Sequence, residues 1–236
     1  MAEKAFEMNV ESSCALEECA YGTDSAENSD KSSSGHNYTK IYSHYFDSIK
    51  DKNLKFLEIG IYKGYGARLW ENYFQNAELH FIDITYDQVK YSSYRSQYHL
   101  VNQEDPKQLT QLMADTGGNF DIILDDGGHT MNQQIVSFMT LFPYLNSGGM
   151  YIIEDLHTSY WKDFGGGGSR QNPLGTPTST VEFLKNLIDD VNFIGARTGR
   201  ANHDVDLSPI QSELTPYRDQ ILSMHFYDSL CFIIKR

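Results

Sequence analysis

From Leu54 onward the chain alternates short apolar runs with longer stretches whose apolar residues recur at helical spacing. That alternation is the mark of a parallel sheet covered by helices on both faces. The runs predict strands over 54–59 (LKFLEI), 78–83 (ELHFID), 97–102 (QYHLVN), 120–125 (FDIILD) and 149–154 (GMYIIE). Helices are expected between them near 66–76, 86–94, 106–116 and 131–144, and again over 179–190. Upstream, Tyr38, Ile41, Tyr42, Tyr45, Phe46 and Ile49 share one helical face, which predicts a helix over about 36–50. At the far end, Met224, Phe226 and Tyr227 face Leu230 to Ile234 across Asp228 and Ser229, the pattern of an antiparallel hairpin. Together these elements predict an α/β, Rossmann-like domain with a seven-stranded, mostly parallel sheet that ends in that hairpin.

Two stretches break the pattern. Residues 1–35 are acidic, small and polar, with a serine-rich run from Ser25 to Gly35, and are expected to form a flexible arm. Residues 164–178 contain Gly165 to Gly168 with Pro173 and Pro177, and read as a mobile loop within a main domain covering 36–236. The charge balance of 32 acidic against 19 basic residues, net −13, excludes a surface that neutralises many phosphates, so nucleic acid is not an expected partner. Cys14, Cys19 and Cys231 cannot all pair with one another and have no CxxC spacing, which points to a reducing, cytoplasmic setting. No apolar stretch approaches the roughly 20 residues that cross a bilayer, and Glu3, Lys4, Glu7 and Glu11 stand where an export signal would be apolar.

Candidate chemistry gathers at the carboxyl ends of the predicted strands. The first strand runs through Glu58 into a turn with Gly60, Gly64 and Gly66, where a backbone must approach a ligand closely. The second ends in Asp83, 23 residues after Gly60, a distance suited to holding ribose hydroxyls. The third leads into Asn102, Gln103, Glu104 and Asp105, a polar group suited to an adenine rim. The turn lacks the close glycine pair that cradles a pyrophosphate, which favours S-adenosylmethionine (SAM) over a dinucleotide.

The fourth strand ends in Asp125, Asp126, Gly127, Gly128 and His129, and the fifth in Glu154, Asp155 and His157. Carboxylates gathered at adjacent strand ends repel unless a cation lies between them, and an oxygen-rich set suits Mg²⁺. Asp126, Glu154 and Asp155 are the expected ligands. Only one of the adjacent pair Asp125 and Asp126 is expected to point into the crevice. A hydroxyl held by such an ion becomes more acidic, and His129, three residues past Asp126, is the candidate general base.

These blocks resemble the metal-dependent class I SAM sugar O-methyltransferases of macrolide biosynthesis and the related rhamnosyl O-methyltransferases. The resemblance runs from Tyr21 to Trp161 and is carried by Tyr21-Gly22-Thr23-Asp24, His36-Asn37-Tyr38-Thr39, Glu58 to Gly66, Asp125 to His129, and Glu154-Asp155 with Thr158-Ser159-Tyr160-Trp161. It implies Mg²⁺ on Asp126, Glu154 and Asp155, and His129 as base. It also implies SAM contacts from Thr23, Tyr38, Glu58, Gly60, Gly64, Asp83, Gln103 and Asp125, and a homo-oligomer, dimer or tetramer. The implied reaction is methylation of a hydroxyl of a small natural product, a sugar hydroxyl by the family's habit, as in antibiotic biosynthesis. A polyketide or phenolic hydroxyl, or a metal-dependent hydroxylase or hydrolase on the same fold, stands as the alternative. Relative to that family the chain lacks a long auxiliary N-terminal domain, inserts a polar stretch between Asp24 and His36, and has its own glycine loop after Phe164.

Overall fold

The computed structural model describes residues 10–167, 178–193, 195, 199, 206 and 216–236. The chain divides into two units, Met1–Leu100 and Val101–Arg236.

In the first unit, helices α1 (Val10–Ala20) and α2 (Thr39–Phe46) precede strand β1 (Lys55–Ile59), helix α3 (Tyr65–Tyr73) and strands β2 (Glu78–Asp83) and β3 (Gln97–Leu100). The strands run parallel in the order β3-β2-β1. β1 is buried at four successive positions, Phe56 to Ile59, as its mostly apolar run requires. Its core is aromatic: Trp70 of α3 lies 5.2 Å from Phe56, 5.8 Å from Phe46 and 5.3 Å from Tyr42, ring centre to ring centre.

Of the flexible arm expected over 1–35, residues 1–9 lie outside the described residues, and 10–35 differ from the expectation. α1 packs on α2 and α3, Leu16 and Ala20 are buried, and the serine-rich run folds into turns held by backbone hydrogen bonds such as His36 N to Asp30 O at 2.7 Å. Lys31 adds a buried contact, its ammonium lying 3.3 Å from the Glu58 carboxylate with both side chains nearly water-free, 1% and 2% exposed. Polar composition alone does not reveal such a buried pair. The helix expected over 86–94 is also missing. Lys90 and Tyr91 donate backbone hydrogen bonds to Lys63 O instead, and the hydroxyls of Tyr91 and Ser93 reach Glu71 at 2.6 and 2.8 Å. Side-chain bonds of this kind outcompete a helix of weak formers.

The second unit contains α4 (Pro106–Thr116), β4 (Phe120–Asp125), α5 (Met131–Leu141), β5 (Leu145–Ile153), α6 (Thr180–Val191), β6 (Ile221–Tyr227) and β7 (Leu230–Lys235). Its strand order is β4-β5-β7-β6, with β4 and β5 parallel and β7 antiparallel to both of its neighbours. α4 begins at an Asp105 cap with Pro106 in its first turn and stops at left-handed Gly117. β5 starts four residues earlier than expected, and its register against β4 shifts between Phe120 and Ile122. Among the described residues, seven strands, parallel except in the terminal hairpin, match the expected α/β architecture. Of the loop expected at 164–178, residues 168–177 lie outside the described residues.

Candidate active site

β4 and β5 lie in parallel register, Asp125 beside Ile153, so Asp126 and Glu154 leave the sheet together; Glu154 N donates to Asp125 O at 3.0 Å. The chain after β4 then turns sharply. Gly128 N donates to Gln103 Oε1 at 2.8 Å, and a Cβ on Gly127 would meet that same oxygen at 1.9 Å. Gly127 is therefore required by close approach. The turn delivers His129 in the left-handed region, φ 58°, and feeds α5 through a capping box between Thr130 and Gln133. After β5, Asp155 is also left-handed, φ 56°. A non-glycine residue held there costs about 1–2 kcal/mol, and both strained residues carry candidate chemistry. Thr158 Oγ1 lies 2.9 Å from His129 O and 2.8 Å from Asp155 O, so one hydroxyl ties the two loops.

The result is a cluster of Asp126, His129 and Asp155, each half-buried, whose ligand-type atoms lie within 4.8 Å of one another. His129 Nε2 is 3.5 Å from Asp155 Oδ2 and 3.9 Å from Asp126 Oδ1. Cis ligands around Mg²⁺ stand about 3 Å apart and trans ligands about 4.2 Å, from bonds near 2.1 Å. The two carboxylates, within 4.8 Å of each other, suit such an ion, and the His129 imidazole stands beside them as a base. His129 Nδ1 is buried without a hydrogen-bond partner among the described residues. Glu154 is 1% exposed at the end of β5, its carbonyl accepting from Gln134 Nε2 at 2.8 Å, and it is not part of that three-residue cluster.

Asp125 points into the protein. It is fully buried and accepts from Gln103 Nε2 at 3.1 Å, and burial pushes its carboxyl up to about 6. Gln103, expected at the adenine rim, gives its amide to Asp125, Ser137 and Gly128. His157, beside the cluster, has Nδ1 4.0 Å from Asp155 Oδ1 and is held by the Ser229 hydroxyl, which also accepts from its backbone N–H at 3.1 Å. Sequence reading missed Thr158 and Ser229 as supports, because their partners lie 29 and 72 residues away.

In the first unit, Gly60 and Gly64 have φ of 100° and 84°, and Gly64 begins α3. Asp83 Oδ2 accepts from Ile61 N at 2.8 Å and Tyr62 N at 3.1 Å, so this acid shapes the glycine turn as well as standing at its rim. Glu58 binds Lys31 and accepts from Trp70 Nε1 at 3.1 Å. Thr23 sits on the surface, donating to Glu27 at 3.2 Å, and Tyr38 is buried and stacked on His36 at 5.2 Å.

The family model described as a methyltransferase domain matches residues 57–156, from the glycine turn through the acidic strand ends. Over those residues the chain is similar to methyltransferases. Its relatives are sugar O-methyltransferases of natural-product pathways. One is the 8-demethyl-8-alpha-L-rhamnosyl tetracenomycin-C 2'-O-methyltransferase of Streptomyces olivaceus, 34% identical over 212 residues, which are 85% of this chain and 50% of that one. Another is the mycinamicin VI 2''-O-methyltransferase of Micromonospora griseorubida, 31% identical over 85% of this chain and 48% of that one. Among solved structures, the MycE methyltransferase of the mycinamycin pathway in complex with Mg and SAH is similar with a TM-score of 0.75 and 27% identity. That match covers 94% of this chain and 54% of MycE. The chain thus spans about half the length of the curated relatives it matches. The resemblance to sugar O-methyltransferases is borne out by these relatives. No helix among the described residues is long and apolar enough to cross a membrane.

Proposed function

We propose that this protein is a SAM-dependent, Mg²⁺-dependent O-methyltransferase acting on a hydroxyl of a glycosylated small natural product. The observation that carries the reading is the Asp126–His129–Asp155 cluster in a chain similar to methyltransferases over residues 57–156. When bound, SAM supplies the methyl group and the divalent ion polarises the acceptor hydroxyl. Asp126 and Asp155 would hold the ion, with Glu154 at the same strand end as the third carboxylate of the set. His129 takes the hydroxyl proton at Nε2, the ring nitrogen that faces both aspartates. The rest of the rate comes from aligning oxygen and methyl donor. For SAM we assign the glycine turn with Gly60 and Gly64, together with Glu58, Asp83, Thr23 and Tyr38. Gln103 and Asp125, the remaining two of the expected cofactor set, act on it by holding the turn that carries Asp126. The enzyme works in the cytoplasm as a homo-oligomer and takes neither nucleic acid nor membrane as partner. The hydroxylase or hydrolase alternative lacks the support that the relatives give to methyl transfer.

The test is calorimetric and catalytic. SAM should bind with measurable heat, EDTA should remove methylation of a rhamnosylated or olivosylated polyketide, and Mg²⁺ should restore it. His129→Ala should abolish turnover with SAM affinity nearly unchanged. Metal-independent turnover, or full activity in that variant, would refute the assignment.

A further inference from the structure

Beside the cluster stands an exposed indole that the proposed chemistry does not use. Trp161 follows the 3₁₀ turn Leu156–Tyr160 and is 51% exposed. Its ring packs edge-on against His157, 4.4 Å between centres at 61°, and His157 in turn lies 4.0 Å from Asp155. Phe164 flanks the indole at 6.0 Å. The backbone at this position is held on both sides, Trp161 N donating to Thr158 O and Gly166 N to Trp161 O, each at 2.9 Å. Gly166 permits this fold-back, since a Cβ there would meet Ser159 O at 2.4 Å. A half-exposed indole on a fixed turn forgoes apolar burial, and such a ring, with few rotamers to freeze, is a typical anchor for a ligand.

The neighbours define the kind of ligand. On one side of the ring are His157 and Asp155, groups that hydrogen-bond hydroxyls; the indole itself offers a flat, polarisable, apolar face. A pyranose combines an apolar face of C–H groups with a rim of hydroxyls and matches that pairing. We infer that Trp161 is the platform on which the sugar ring of the acceptor lies, with His157 reaching its hydroxyl rim. This rests on the sugar-methylating reading above and assigns the specificity for a sugar to two residues outside the metal set.

Trp161 and Trp70 are the two tryptophans of the chain, and Trp70 is fully buried, so Trp161 is the indole a ligand can reach. Methyl α-L-rhamnopyranoside added to the Mg²⁺- and SAH-loaded enzyme should change the tryptophan emission saturably, and W161F should abolish that change. With a rhamnosylated polyketide, Trp161→Ala should lower kcat/KM about tenfold, as expected for loss of roughly 1.4 kcal/mol of contact, chiefly through KM. Trp161→Phe, which keeps a ring, should recover most of it, and SAM affinity should hold in both. Turnover of the glycoside by wild type with Trp161→Ala within twofold of it, or an emission change that persists in W161F, overturns the platform alone. Wild type that methylates a catechol and no glycoside overturns the sugar reading and this inference with it.

Discussion

The buried pair between Lys31 and Glu58 is one tie of residues 10–35 to the folded core. Lys31→Met keeps the length of the side chain and removes its charge, leaving the Glu58 carboxylate in a site 2% exposed with its cation gone. Breaking one side of a buried ion pair costs about 3–5 kcal/mol. For a protein of this size that lowers Tm by roughly 10 °C. Glu58→Gln strands the ammonium instead and should cost a similar amount, while the amide can still accept from Trp70 Nε1, now 3.1 Å from Glu58 Oε1. The double variant removes both charges together, and most of the loss should return. The cycle is best followed by urea unfolding in a W161F background, where the emission belongs to Trp70, beside the pair. A Lys31→Met variant within about 1 kcal/mol of wild type, well below the cost expected for a buried pair, with no coupling to Glu58→Gln, would show that this segment does not pack as described.

Thr158→Val deletes the hydroxyl that ties His129 to Asp155. It should cost about 1–2 kcal/mol of stability and weaken Mg²⁺ binding several-fold by calorimetry with SAM binding intact; equal Mg²⁺ affinity would detach this hydroxyl from the site. His80 is buried beside Glu78, His99 and Lys55, and burial lowers its pKa. As pH falls through about 6.5 the unfolded chain takes up a proton that the folded His80 resists, so stability should drop in that window. In His80→Gln the drop between about pH 7 and 5.5 should shrink, and a pH profile parallel to wild type would disprove it; the lowered carboxyl of Glu78 acts only below its ordinary range.

The strands were legible because burial on both faces leaves an unmistakable apolar run, as in β1, β2 and β4. The strand-end chemistry was legible for a related reason: Asp126 and Asp155 follow directly on such runs, and parallel strands bring their ends together. Lys31 was not, since its worth lies in a carboxylate 27 residues on. The stretch around Tyr86 to Tyr94 misled because its spacing suits a helix while its hydroxyls serve Glu71. Gln103 was placed at the right strand end, but sequence does not say which way an amide points.

A single threonine oxygen joins the segment that carries His129 to the one that carries Asp155. Neither stretch can drift in evolution alone. A change that reshapes residues 127–130 alters the footing of 155–158, so substitutions in the two stretches should arise as correlated pairs among related enzymes, and laboratory selections that mutate one in isolation should return mostly inactive clones.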